Sequence, residues 1–67
     1  MTIQINDKQK VVPTGATISD VLFKVLEINA AGVAVAINDS IVPRHLWESS
    51  TLQSNDRMLV IKAAAGG

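Results

Sequence analysis

Residues 2–6, Thr-Ile-Gln-Ile-Asn, alternate polar and apolar, the period of two expected when one face of a strand lies on a core. Asn6-Asp7-Lys8 is turn chemistry, and Gln9 to Val12 can return as the second arm of a hairpin. Pro13-Thr14-Gly15-Ala16 ends that arm, because proline offers no amide to a ladder and glycine weakens one. The period then changes. From Ile18 onward apolar side chains fall at 18, 21, 22, 25, 26 and 28, the spacing of one face of a helix. Ser19, Asp20, Lys24 and Glu27 take the other side, with Phe23 on the edge of the stripe. Thr17-Ile18-Ser19-Asp20 has the form of a capping box opening that helix, although aspartate reaches back less well than glutamate. Asn29 to Gly32 is expected to close it.

Val33 to Ile37 reads as a buried strand, and Asn38-Asp39 as a tight turn. Ser40-Ile41-Val42 pairs back until Pro43 stops it. Pro43 to Trp47 suits a short helical turn with proline at its first position. Residues 49–55 are polar and irregular except for Leu52, and Asn55-Asp56 turns the chain into a last strand from about Met58 to Lys62. The order of elements predicts an α+β domain, residues 1–62, with one helix crossing a mixed sheet of four to five strands. Residues 63–67 are expected to form a flexible tail.

Composition narrows what such a domain can do. Sixty-seven residues, 48 % of them apolar, suffice for one small core and no second one. Six basic and six acidic side chains cancel, so there is no basic stripe for nucleic acid and no polybasic segment for a membrane. There is no cysteine, which excludes disulfides, thiolate metal sites and any nucleophilic thiol on this chain. The N-terminal residues lack the basic and apolar regions of a signal peptide, and the run from Ala30 to Ile37 is far too short to span a bilayer. A soluble, cytoplasmic protein is the expectation. Catalysis by this chain alone is not, since the one histidine, His45, has no ligand or triad partner nearby except Glu48. Trp47 reads as a cap on one end of the core with its indole N–H bonded to backbone. Arg44 is either a surface charge or an ion-pair partner for a docking protein.

Two features remain that carry function. Along the last strand Met58 and Val60 point one way while Leu59 and Ile61 point the other. If the first pair packs on the helix, the second forms a small apolar patch on the open face, unless a loop covers it. The second feature is the tail, Ala63-Ala64-Ala65-Gly66-Gly67. Such a segment, almost without side chains, is either a frayed end or one that lies extended in a narrow cleft and presents its carboxylate to an enzyme.

Together these residues carry a resemblance. Two opening strands, a helix, three further strands and a terminal Gly66-Gly67 resemble the ubiquitin-like β-grasp proteins. Within that group, Ala34-Val35-Ala36-Ile37-Asn38 followed by Ile41-Val42-Pro43-Arg44 and Trp47 is similar to a run found in the thiamine-biosynthesis sulfur carriers of the ThiS family. Ala64-Ala65-Gly66-Gly67 resembles their tail. One departure is Asn55-Asp56, where that family usually has Gly-Asp; asparagine is the next most tolerant of positive φ.

The resemblance implies a carrier rather than an enzyme, with no bound cofactor. An E1-like activating enzyme would use ATP to adenylate the carboxylate of Gly67. Sulfur from a persulfide donor charged by a cysteine desulfurase would then convert it into a thiocarboxylate, and thiazole synthase would take the sulfur. It also implies that Gly66, Ala65 and Ala64 are read as the tail threads into partner active sites; the alternation along the last strand makes Leu59 and Ile61, with Arg44, the expected partner-binding patch. The small subunit of molybdopterin synthase shares the fold and the chemistry, but its tail commonly carries a Pro-Pro pair that is absent here. Ubiquitin-like protein modifiers often have arginines just before Gly-Gly, where this chain has Ala63-Ala64-Ala65. A β-grasp module for RNA would need a basic or aromatic face.

Overall fold

The computed structural model describes residues 1–28 and 32–62. Five strands form one sheet: β1 (Thr2–Ile5), β2 (Lys8–Val11), β3 (Val33–Ile37), β4 (Ser40–Val42) and β5 (Arg57–Lys62). Their spatial order is β2-β1-β5-β3-β4, so the last strand lies at the centre. It runs parallel to β1 and antiparallel to β3. One helix, α1 (Ile18–Asp20, continued by the wider turn Val21–Val25), and a short 3₁₀ turn, Arg44–Leu46, complete the described elements.

Both hairpins close with two-residue turns. Ile5 pairs with Lys8 and Ile37 with Ser40, leaving Asn6-Asp7 and Asn38-Asp39 as the loops. All four loop residues have positive φ, between 48° and 73°. That is the type I′ geometry whose twist matches the flanking strands, and Asn and Asp tolerate it better than other side chains. Asn55 likewise sits at φ 70°, so the turn before β5 keeps its left-handed residue without a glycine.

Helix α1 opens as its sequence predicts. The Thr17 hydroxyl accepts the Asp20 amide and the Asp20 carboxylate accepts the Thr17 amide, each at 3.1 Å. The body of the helix differs from the expectation. Only Ile18–Asp20 is α-helical, and Val21–Val25 is π-helical. The Leu26 amide reaches back to the Val21 carbonyl and the Ile28 amide to Leu22, both at 2.8 Å. Glu27, at φ 54°, ends the helix, so it does not run through residue 28; the expected closure at Asn29 to Ala31 lies outside the described residues. The wider turn still serves the core. Ile18, Val21 and Leu22 are buried, while Val25, Leu26 and Ile28 pack partly against the core.

The core lies between α1 and one face of the sheet, with Ile3, Ile5, Val35, Met58 and Val60 supplied by the strands. Trp47 and Leu52 close its end. The indole N–H of Trp47 donates to the Val42 carbonyl at 2.9 Å, the satisfied arrangement that a buried tryptophan needs. Pro43 stands one residue ahead of the 3₁₀ turn in extended geometry, rather than at its first position. The polar stretch around Leu52 is tied down by backbone: Thr17 bridges Thr51, and the Leu52 amide donates to Ala16. Strand β3 is only half buried, because Ala34 lies on the open side of the sheet and is exposed.

Candidate functional site

Strand β5 carries the chain toward its terminus, and asparagines grip it on both sides. On the β1 side, the Asn6 amide donates to the Met58 carbonyl at 3.0 Å. There β1 has already turned away, yet the Asn6 side chain continues the pairing: its Oδ1 accepts the Val60 amide at 2.8 Å and its Nδ2 donates to the Val60 carbonyl at 3.3 Å. On the β3 side, the Asn38 amide donates to the Arg57 carbonyl, its Oδ1 accepts the Arg57 amide at 2.9 Å, and its Nδ2 donates to Asp56. The second carboxylate oxygen of Asp56 accepts the Gln53 amide at 2.8 Å, fixing the turn that feeds β5. The same tripeptide, Ile-Asn-Asp, thus closes each hairpin and anchors each flank of the central strand.

Parity along β5 is as the sequence predicts. Met58 and Val60 are buried, while Leu59 and Ile61 are 48 % and 43 % exposed, with no described loop over them. Register adds neighbours that the sequence alone does not identify. Ile61 pairs with Ala34, Leu59 with Ala36, and Ala36 in turn with Ile41, so all five share the open face. Ile41 is 63 % exposed. Three branched side chains floored by two alanines make an apolar patch in the middle of the sheet, the kind of surface used for a partner. Ile41 was hidden from sequence reasoning because its contribution depends on the pairing of β4 with β3, which parity along one strand does not reveal.

Beyond Leu59 the patch opens into a cleft of about 210 Å³ lined by Gln4, Asn6, Asp7, Ala36, Asp39 and Arg57, among others. The Arg57 guanidinium meets the Asp39 carboxylate at 3.0 Å. Arg44 does not belong to this surface. It is exposed beside Ser19, Phe23, His45, Trp47 and Glu48, in a separate cleft next to α1. The expectation that Arg44 joins Leu59 and Ile61 in one patch is therefore corrected: Pro43 directs the chain out of β4 and into the 3₁₀ turn before Arg44 is reached. His45 is exposed, and no group of three or more potential metal ligands gathers among the described residues.

At the start of α1, Asp20 titrates below the ordinary carboxylate value. The Thr17 amide, bonded to its carboxylate, holds the Asp20 carboxyl below the usual carboxylate range, with Thr17's hydroxyl and Lys24 adding to the effect. This is a helix cap and lies outside the docking face. The tail positions Ala64, Ala65, Gly66 and Gly67 lie outside the described residues.

Comparison with known proteins covers the whole chain. The ThiS family profile matches residues 2–67. The chain is 37 % identical over 67 residues to the sulfur carrier protein ThiS of Escherichia coli strain K12, covering all of both sequences. Its fold is similar to the crystal structure of a thiamine biosynthesis protein, ThiS, from Geobacter metallireducens, with a TM-score of 0.82 at 21 % identity and full coverage of both chains. The solution structure of a thiamine biosynthesis protein from the same organism aligns at a TM-score of 0.79 and 21 % identity, over all of this chain and 88 % of that one.

Proposed function

Because this chain belongs to the ThiS family, we propose that it is the sulfur carrier of thiamine biosynthesis and that Gly67 bears the sulfur. The family match reaching residue 67 is the observation that carries this reading. The chemistry suits the residues. A chain without cysteine has no side-chain thiol to load, whereas a terminal acyl group can take sulfur once it is activated.

In this scheme the Gly67 carboxylate attacks the α-phosphorus of ATP on an activating enzyme, and pyrophosphate leaves. The acyl adenylate exchanges a poor leaving group for a good one, AMP. The terminal sulfur of a persulfide then attacks the acyl carbon and AMP departs. A thiol breaks the resulting S–S bond, leaving the thiocarboxylate on the carrier and a disulfide on the donor side. Thiazole synthase draws its sulfur from that thiocarboxylate. The protein acts throughout as co-substrate of its partners. Ala64, Ala65 and Gly66 give the partner cleft nothing bulky to accommodate.

Docking is assigned to the open face of the sheet, through Leu59 and Ile61 with Ile41 beside them. Exposure of these side chains on a strand fixed from both flanks supports this reading. Intact mass spectrometry of the protein produced together with its activating enzyme and sulfur donor tests the proposal. A species heavier by the difference between one sulfur and one oxygen, located to Gly67 by fragmentation, is the expected result. Only the unmodified mass under conditions where the activating enzyme turns over ATP would refute it.

A further inference from the structure

We propose that the partner surface received by this sheet face carries a lysine or arginine whose side chain enters the cleft between the Asn6-Asp7 and Asn38-Asp39 turns, with Asp7 as its counter-charge. The proposal rests on the docking assignment above and adds the chemistry of the partner.

The open face holds almost no charge of its own. The strand residues whose side chains lie on it include Gln4, Gln9, Val11, Ile41, Leu59 and Ile61; among the described strand residues on this face only Arg57 is charged, and Asp39 already pairs with it. Lys8 and Lys10 pair with Ile5 and Ile3 and so lie on the opposite face. Lys62, two residues beyond the buried Val60, shares that opposite face as well. In the cleft itself, two carboxylates and one guanidinium leave one net negative charge. Among the described residues Asp7 is the unmatched group: it is exposed, and its one side-chain bond there is a 3.5 Å contact from the Gln4 amide. Asp39 remains 83 % exposed, so Arg57 covers only one side of it.

Leu59 and Ala36 line both the apolar patch and this cleft. A partner seated on the patch therefore removes water from beside Asp7. An unpaired carboxylate in such a place is costly, and a cation on the partner offsets that cost. The cleft has room for the end of a long side chain. A small dication fits the site poorly, because the Arg57 guanidinium stands inside it.

The test measures binding of the adenylating enzyme from the same organism to wild type, Asp7→Asn, Asp7→Gly and Leu59→Ala, at low and high sodium chloride. Position 7 has φ 69°, which Asn and Gly both accept, so each variant removes the charge and keeps the turn. A partner's cation drawn toward Asp7 speeds association in a way that salt screens, whereas the contact itself, once water is excluded, is screened much less. Both Asp7 variants should bind about 3- to 10-fold more weakly at ~50 mM salt, and should keep about 2-fold or more of that loss at ~500 mM. Leu59→Ala should weaken binding about 10-fold at both. Wild-type affinity for the Asp7 variants at both salts, with Leu59→Ala weakened, would overturn the cation contact and leave the docking face standing. Wild-type affinity for all three would overturn both. Failure of the sulfur-carrier reading is seen separately, as absence of the thiocarboxylate mass.

Discussion

The side-chain amide of Asn6 occupies both backbone hydrogen-bonding groups of Val60, at 2.8 and 3.3 Å, across 54 residues of chain. It stands where the next residue of β1 would stand had the strand not turned. Asn6→Gly keeps the φ of 48° and deletes the amide, and should lower unfolding free energy by about 1–2 kcal/mol. Asn6→Ala should cost about 1 kcal/mol more, from a Cβ in the left-handed region. Urea denaturation measures both, and hydrogen exchange should show the Val60 amide losing protection first. Unchanged exchange at Val60 would mean that the bond carries no weight in solution.

Parity along β5 gives a second expectation. Val60→Ala should destabilise by roughly 1–3 kcal/mol through lost burial and a partly unfilled cavity. Leu59→Ala and Ile61→Ala should each cost less than about 1 kcal/mol, as exposed positions do. Those two variants should instead weaken binding to the activating enzyme or the thiazole synthase. Denaturation beside a binding titration separates the two classes. Equal destabilisation by Leu59→Ala and Val60→Ala with binding intact would move the docking surface elsewhere, to Arg44 and the cleft beside α1.

For the terminus, deleting Gly67 or adding one residue after it should abolish ATP–pyrophosphate exchange by the activating enzyme. The far-ultraviolet spectrum and the unfolding midpoint should not change, because every core residue among the described ones precedes the tail. Exchange at the wild-type rate by the truncated chain would exclude Gly67 as the activated residue.

Asp20 predicts a mild acid sensitivity. Its carboxyl titrates lower in the folded protein than in the unfolded chain. The unfolded state therefore takes up the proton first as pH falls, and folding loses this contribution between the ordinary carboxylate value, about 4, and the lower folded value. Above about pH 4 the contribution is fully present. Asp20→Asn should flatten that part of the stability–pH curve while leaving the slope near neutrality unchanged. A wild-type acid limb in the variant would show that other carboxylates account for it.

Much of this architecture is written locally. The hairpin turns, the capping box and the alternation along β5 each depend on residues within a few positions of one another, so short-range chemistry at Asn6-Asp7, Thr17 and Met58–Ile61 is enough to read them. The π-helical body of α1 is different. Its apolar spacing fits an α-helix equally well, and the wider turn emerges only where Val21 and Leu22 must meet the sheet while Leu26 and Ile28 fold under. The bridge from Thr17 to Thr51 and the place of Ile41 in the patch are likewise tertiary facts, set by pairings between distant segments. The place of Arg44 is a tertiary fact of the same kind: the sequence shows a charge after a proline, and only the fold shows which side of the domain it reaches.

Bonding of β5 on both flanks also decides how the domain bears a load. A pull applied after Lys62 acts along the strand, so the ladders to β1 and β3, and the two asparagine clamps, are strained together in shear. A hairpin peeled from its end breaks its bonds one after another; a central strand dragged lengthwise must break many at once. Were a partner to draw on the chain beyond Lys62, as the proposed sulfur-carrier role requires, the load would fall on many of these bonds together and the domain would keep its fold.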